Sequence, residues 1–187
     1  MTVRFRWTAT LASLAAAVVL VLALVLASGP AFAASFPEEK GISVGAFGGA
    51  AFPFEGSYKT GFLVGVLGDY NFTKALAGRA SFSWEHLGTT VASGGNFAAG
   101  QFLVSAVWNF GGERFVPFAT AGAGFYSISP PEGGSVGRVG LHAGGGVEYF
   151  LDRRTSVLGQ GLFHFVNGVS DRGGSSFQAS VGIRYYF

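Results

Sequence analysis

Cysteine is absent from the 187 residues and charge is scarce, with Lys, Arg, Asp and Glu together making up 12% of the chain. Without cysteine there is no disulfide framework, no Cys-type zinc site and no thiol nucleophile. A soluble domain ordinarily carries roughly 25% charged residues. Disorder is excluded as well, because it needs many charges and few apolar residues, and this chain is 49% hydrophobic. No helical periodicity persists after residue 40. Gly144-Gly145-Gly146 is followed by no G-x-x-x-x-G-K and no strand-to-helix context, so it is no phosphate cradle. What is abundant is glycine, 31 residues, and phenylalanine, 20.

The one long apolar run lies at the start. Arg4 and Arg6 precede an almost wholly apolar stretch from residue 11 to 28. Gly29-Pro30 then breaks any helix, and Ala31-Phe32-Ala33 sets small residues at the −3 and −1 positions. This predicts a secretory signal peptide over 1–33, cleaved before Ala34, rather than a retained transmembrane helix. A short segment over 34–40 follows, and one domain over 41–187. Of 12 basic and 10 acidic residues the signal removes two basic ones, Arg4 and Arg6, and no acid, leaving ten of each. The +2 of the full chain therefore implies no nucleic-acid partner.

From residue 41 the chain alternates with period two, the mark of strands. The last strand is the clearest. Phe177, Ala179, Val181, Ile183, Tyr185 and Phe187 share one face, and Gln178, Ser180, Gly182, Arg184 and Tyr186 the other. The same sorting gives eight strands. The first is expected to be short, around Ile42, Val44 and Ala46. The fifth, Phe115 to Ser127, is rich in Gly and Ala and leaves its register weakly determined. The strand charges Asp69, Arg79, Glu85, Arg138, Glu148 and Arg184 all fall on the less apolar face. A soluble sandwich with its apolar faces inward would alternate in the same way.

The connections separate the two cases. Tight links at 73–75, 111–114 and 151–154 alternate with longer ones at 51–59, 88–95, 128–135 and 167–174. Short turns at one end and longer loops at the other are the pattern of a transmembrane barrel of the bacterial outer membrane. Strands of about 9–11 residues suit a tilted crossing. Phe72, Trp108, Phe110, Phe118, Tyr149, Tyr185 and Phe187 are expected to form a girdle near the short-turn end. Phe82, Trp84, Tyr126, Phe163 and Phe165 are expected to form one near the long-loop end. The fold class expected is all-β: an eight-stranded antiparallel up-and-down transmembrane β-barrel behind a cleavable signal peptide.

With its signal peptide, eight strands and final Ile183-Arg184-Tyr185-Tyr186-Phe187, the chain resembles the outer-membrane β-barrel proteins, the group that includes the OmpA membrane domain and OmpX. The stretches from Val116-Pro117-Phe118 to Ala121-Gly122-Ala123-Gly124-Phe125 and from Gly144 to Phe150 resemble that group's mid-barrel segments. The resemblance covers residues 41–187. It implies a place in the bacterial outer membrane, surrounded by lipid and lipopolysaccharide, and a monomer. It also implies that Tyr185 and Phe187 signal to the barrel-assembly machinery. It specifies activity poorly.

An eight-stranded barrel is nearly filled by its side chains, so no wide pore is expected. The lumen should hold Asp69, Arg79, Glu85, Arg138, Glu148 and Arg184 together with Gln101, His142, Gln160 and Gln178. Three acids (Asp69, Glu85, Glu148) and three bases (Arg79, Arg138, Arg184) balance, with Arg79/Glu85 and Arg138/Glu148/Arg184 organising the lumen, which points to internal pairing of buried charge before an ion gate or narrow conductance path. His86, His142 and His164 are too far apart in sequence for a metal motif, so no metal, cofactor or catalytic residue is expected. Phe163-His164-Phe165-Val166-Asn167-Gly168 resembles the His-x-Ser-Asn segment of lipid A 3-O-deacylases, which are also eight-stranded barrels. Val166 stands where that family has its serine, and Gln178 where the last strand would need an acid. With no hydroxyl to activate, acyl transfer cannot run. The expectation is a structural, envelope-stabilising barrel and no enzyme, with loop-mediated surface interaction next. Behind these stand a deacylase-like enzyme acting on lipid A and a narrow ion-conducting channel.

Overall fold

A computed structural model describes residues 40–54, 59–87, 97–112, 114–129, 136–166 and 174–187. The expected signal peptide and residues 34–39 lie outside the described residues. The strands are β1 (Ile42–Pro53), β2 (Gly61–Asn71), β3 (Leu76–Leu87), β4 (Phe97–Asn109), β5 (Phe115–Ser129), β6 (Val136–Phe150), β7 (Thr155–Val166) and β8 (Gly174–Tyr186). Each pairs antiparallel with the next, and β8 pairs back on β1, closing an eight-stranded barrel. β1 is longer than its sequence suggested, because its outer face continues through Gly48 and Ala50, too small to register as an apolar pattern.

Which way the faces point decides the solvent. Val64, Val66, Phe102, Val104, Val139, Leu141, Val181 and Ile183 are each half or more exposed on the outer wall. Asp69, Arg79, Glu85, Glu148 and Arg184 are each no more than 5% exposed, inside. A water-soluble protein does the opposite; apolar outside and polar inside is the arrangement that hydrocarbon selects. Tyr70, Phe72, Trp108, Phe110, Tyr149, Tyr185 and Phe187 ring the outer wall at the short-turn end, and Phe82, Trp84, Phe163 and Phe165 at the other. Two residues expected in these girdles are inside instead. Phe118 is 4% and Tyr126 2% exposed. Between the outward Phe115 and Phe125 the outer face of β5 is Pro117, Ala119, Ala121 and Ala123, while Gly122 and Gly124 leave space within for the rings of Phe118 and Tyr126.

The register also fixes the stagger. A line of paired residues runs Ser43, Asp69, Arg79, Ser105, Gly122, His142, His164, Ser176 and returns to β1 at Pro53, ten residues above its start. Closure with such a stagger requires strands tilted by about 35–45°. The short turns are made by local chemistry. The Thr73 hydroxyl accepts the N–H groups of Ala75 (3.2 Å) and Leu76 (3.0 Å). Asp152 accepts those of Arg154 (2.7 Å) and Thr155 (2.9 Å). Gly111 and Gly112 take φ of 81° and 137°, which side chains rarely adopt.

Candidate functional site: the barrel lumen

Among the described residues the buried charged and polar side chains gather in the lumen, in two halves. The half nearer the short turns is built around two arginines. Arg79 grips Asp69 with both forks, Nε donating to Oδ1 and Nη2 to Oδ2, each at 2.9 Å. Its Nη1 donates to Gln160 Oε1 at 3.0 Å. Arg184 joins four strands: Nη2 donates to Asp69 Oδ2 (2.5 Å) and Ser43 Oγ (2.8 Å), and Nη1 to Glu148 Oε2 (2.7 Å). Glu148 also accepts from the Tyr186 hydroxyl at 2.8 Å and from Ser156. Each guanidinium lies over an aromatic ring, Arg79 over Phe118 at 5.2 Å and Arg184 over Tyr186 at 5.0 Å. Val116 and Phe150 pack against Tyr186 beneath, and Ala77 and Val107 against Phe118. Charge-assisted bonds with nearly every acceptor satisfied are what makes such a network tolerable away from water.

The pairing differs from expectation in two respects. Arg79 bonds Asp69, not Glu85, because the β2–β3 register sets Asp69 directly across from Arg79. Arg138 is outside the network altogether and exposed. It keeps the inward parity of β6 and lies in the stretch that pairs with β5 at Tyr126, while among the described residues the β6–β7 pairing starts at Gly140. Among the described residues the interior therefore holds three acids, Asp69, Glu85 and Glu148, against two arginines, Arg79 and Arg184.

The unbalanced acid is Glu85, in the half nearer the long loops. Gln101 donates to its Oε2 at 2.5 Å and Gln178 at 3.2 Å, and Gln178 also donates to Gln101 Oε1 at 3.2 Å. No ion pair reaches it among the described residues. Ala51, Leu63 and Leu87, with Phe47 against them, line this end.

Between the halves stand two histidines that the sequence spacing left apart. The β6–β7 register makes His142 and His164 direct partners, and their rings stack at 5.8 Å between centroids, 27° between planes. His142 Nε2 shares a hydrogen bond of 2.7 Å with Ser105 Oγ, and His164 Nδ1 one of 2.8 Å with the Tyr126 hydroxyl. Gly122 makes the first of these possible. It lies between Ser105 and His142 in the register, and a Cβ there would collide with Val104 O and sit 2.9 Å from His142 Cε1. His86 is far from both, on the outer face of β3 against the Phe62 ring. Among the described residues no three of His, Asp or Glu gather as a metal-ligand cluster.

Residues 19–187 match the family model described as outer membrane protein beta-barrel domain. The chain belongs to the outer-membrane β-barrel family. Its place is the bacterial outer membrane, as the inverted faces require. Among solved structures it is similar to Neisserial surface protein A, with 19% identity, 78% of this chain and 97% of that one covered, and a TM-score of 0.66. It is similar to Ail, the attachment invasion locus protein of Yersinia pestis, at 16% identity, 80% and 99% coverage and a TM-score of 0.58. The N-terminal barrel of Pseudomonas aeruginosa OprF gives 16%, 80% and 98%, and 0.57. No curated protein matches the sequence. At these identities the likeness is one of fold, and the polar interior of this barrel has to be interpreted from its own residues.

Strand parity assigns Asp69, Glu85, Gln101, His142, Glu148, Gln160, Gln178, Arg79 and Arg184 to the interior, and the structure places all nine there. The sequence reading omits Ser43, Ser105, Tyr126, Ser156, His164 and Tyr186 from the network, although their parity carries the signal. Tyr185 and Phe187, expected as the assembly signal, point outward, their rings edge to face at 5.2 Å.

Proposed function

We propose that this barrel serves the outer membrane as a structural, non-conducting element, with its long loops as the surface that meets the outside. The observation that carries this is the lower lumen, where Arg184 ties β1, β2, β6 and β8 together over a floor of Val116, Phe150 and Tyr186. A hydrated ion has no route through side chains bonded to one another in this way. The non-enzymatic reading is supported by the environment of His164. It is 1% exposed and bonded to Tyr126 inside the barrel, away from any acyl chain in the bilayer, with Gln178 bonded to Glu85. The partners are the surrounding lipid and lipopolysaccharide and, through Tyr185 and Phe187, the barrel-assembly machinery, with the chain acting as a monomer.

Two experiments test this. The purified barrel in planar bilayers should give no unitary conductance steps; reproducible steps from the wild type, altered by Arg184→Met, would establish a channel instead. Cells lacking the protein should become sensitive to detergent, and a version with trimmed long loops should restore resistance. Restoration only by the untrimmed chain would make the loops the functional part, and an altered acylation pattern of lipid A would make the protein an enzyme.

A further inference from the structure

Charge is unevenly divided between the two ends of the barrel. By sequence the short turns at 73–75, 111–114 and 151–154 carry Lys74, Arg114, Arg153 and Arg154 against Glu113 and Asp152, and Lys40 precedes β1 at the same end. The other end carries Lys59, Arg138 and Arg172 against Glu55, Glu132 and Asp171, an even balance. Lys40, Lys74, Arg114, Arg153 and Arg154 are all exposed. Among the described residues none of these five bases is in an ion pair. Asp152, the acid described beside them, has its Oδ1 turned to the N–H groups of Arg154 and Thr155. Glu113, like Glu38 and Glu39 ahead of Lys40, lies outside the described residues.

These bases form a ring and not a one-sided patch. Lys40 leads into β1, Lys74 joins β2 to β3, Arg114 joins β4 to β5, and Arg153 with Arg154 joins β6 to β7, so they are spread around the whole circumference. The backbone at each point is held to a neighbouring strand. The Lys40 N–H donates to Asn71 O at 2.7 Å, and the carbonyls of Ala75, Arg114 and Arg154 accept from Asn109 (2.8 Å), Phe150 (2.8 Å) and Tyr186 (2.7 Å). The side chains leave this fixed ring beside the outward aromatic residues Phe72, Trp108, Phe110, Tyr149 and Tyr185. Arg154 Nη1 donates to the Tyr185 hydroxyl at 3.4 Å. Aromatic rings at this level mark the boundary between hydrocarbon and headgroups, and long basic side chains reach from there into the polar layer. A ring of cations at headgroup depth meets lipid phosphates on every side, whereas a folded partner lying beside the barrel would reach one sector of it.

We propose that this ring is a binding surface for anionic phospholipid headgroups in the leaflet that faces the short turns, the periplasmic one. The attraction is electrostatic. Each exposed Lys or Arg near an anionic bilayer surface strengthens association by about fivefold, and salt screens it, over a Debye length of about 10 Å at 0.1 M. The guanidinium groups of Arg114, Arg153 and Arg154 add the capacity to bond one phosphate through two parallel N–H donors. The inference deepens the lipid partnership proposed above and rests on it only for the presence of the bilayer. A barrel without headgroup preference would still be a sealed, structural one.

The test places the refolded barrel in vesicles of phosphatidylcholine and adds spin-labelled phosphatidylglycerol or, with the same acyl chains, spin-labelled phosphatidylethanolamine. The electron paramagnetic resonance spectrum separates lipid held at the protein from lipid free in the bilayer and gives a relative association constant. Both leaflets receive the label, so the direction of insertion does not matter. At low salt phosphatidylglycerol should be favoured by at least about twofold, averaged over all lipid around the wall, and the preference should vanish in about 1 M NaCl. Lys74→Gln, Arg114→Gln and Arg153→Gln combined should abolish it while retaining heat-dependent migration. Lys59→Gln with Arg138→Gln, at the opposite end, should leave it intact. Equal association of the two lipids with the wild type, a preference that survives salt, or one removed by the long-loop pair and not by the short-turn triple would overturn the proposal. Binding to purified cell-wall sacculi through the same three bases, without any lipid preference, would overturn it too and make the wall the anionic partner. If the triple variant fails to fold, the wild-type contrast, its loss in salt and its persistence in the long-loop pair decide the matter.

Discussion

Replacing Arg184 by methionine removes the one side chain that contacts Asp69, Glu148 and Ser43 together. Asp69 keeps both forks of Arg79. Among the described residues Glu148 then keeps only the hydroxyls of Tyr186 and Ser156 and has no cation. Leaving one member of a buried pair without its partner costs about 3–5 kcal/mol. With a urea dependence of about 2 kcal/mol per molar for a small protein, the unfolding midpoint should fall by about 1.5–2.5 M. The assay is urea unfolding from lipid vesicles followed by tryptophan fluorescence. Trp84 and Trp108 stand on the lipid-facing wall at opposite ends of the barrel and report its integrity without touching the network. Glu148→Gln in the Arg184→Met background should recover much of the loss, because no uncompensated charge then remains, so the double variant will be less damaged than the sum of the singles. An Arg184→Met barrel within about 1 kcal/mol of wild type would refute the view that this network is what holds the lower lumen together.

Three further outcomes follow from the same geometry. Val181→Arg, on the lipid face, should cost about 2–4 kcal/mol near the midplane, and Ser180→Arg, which faces inward, less; vesicle unfolding would show a reversed order if the faces were misassigned. Gly122→Ala drives a Cβ onto Val104 O and the His142 ring, so about 1–3 kcal/mol should be lost, and the His142 ring resonances should shift as the Ser105 bond breaks. The backbone N–H groups of Arg154 and Thr155 hold the Asp152 carboxyl below its ordinary value of 3.8. A carboxyl depressed on folding contributes stability that is complete above that value and lost as pH falls through the lower folded one; Asp152→Asn should flatten this acid limb, and an unchanged profile would dismiss the turn as its source.

Much of the barrel is legible in the sequence because period two, loop length and aromatic placement are imposed by the bilayer itself. β8 can be assigned residue by residue since its faces differ so sharply. β5 cannot, because Pro and Ala on one face and Gly on the other look alike to a hydrophobicity pattern, which sets Phe118 and Tyr126 in lipid when they fill the lumen. The charge partners need the register. That is latent in the tight turns: once 72–75 joins β2 to β3, Asp69 falls opposite Arg79, and once 151–154 joins β6 to β7, His142 falls opposite His164. Arg138 escapes the pattern for a different reason. Parity says which way a side chain points, and only the neighbouring strand's length says whether a wall stands around it.

The seam between β1 and β8 sets the order of events in assembly. Until β8 arrives, β1 and β7 each present a row of unpaired peptide groups that hydrocarbon will not accept. Arg184 rides on that same strand, and its partners wait on β1, β2 and β6. Docking of the last strand therefore brings Glu148 its cation, and Asp69 a second one, in the step that pairs the exposed edges. An unfinished barrel is therefore open-sided and leaves Glu148 without its guanidinium at the same time.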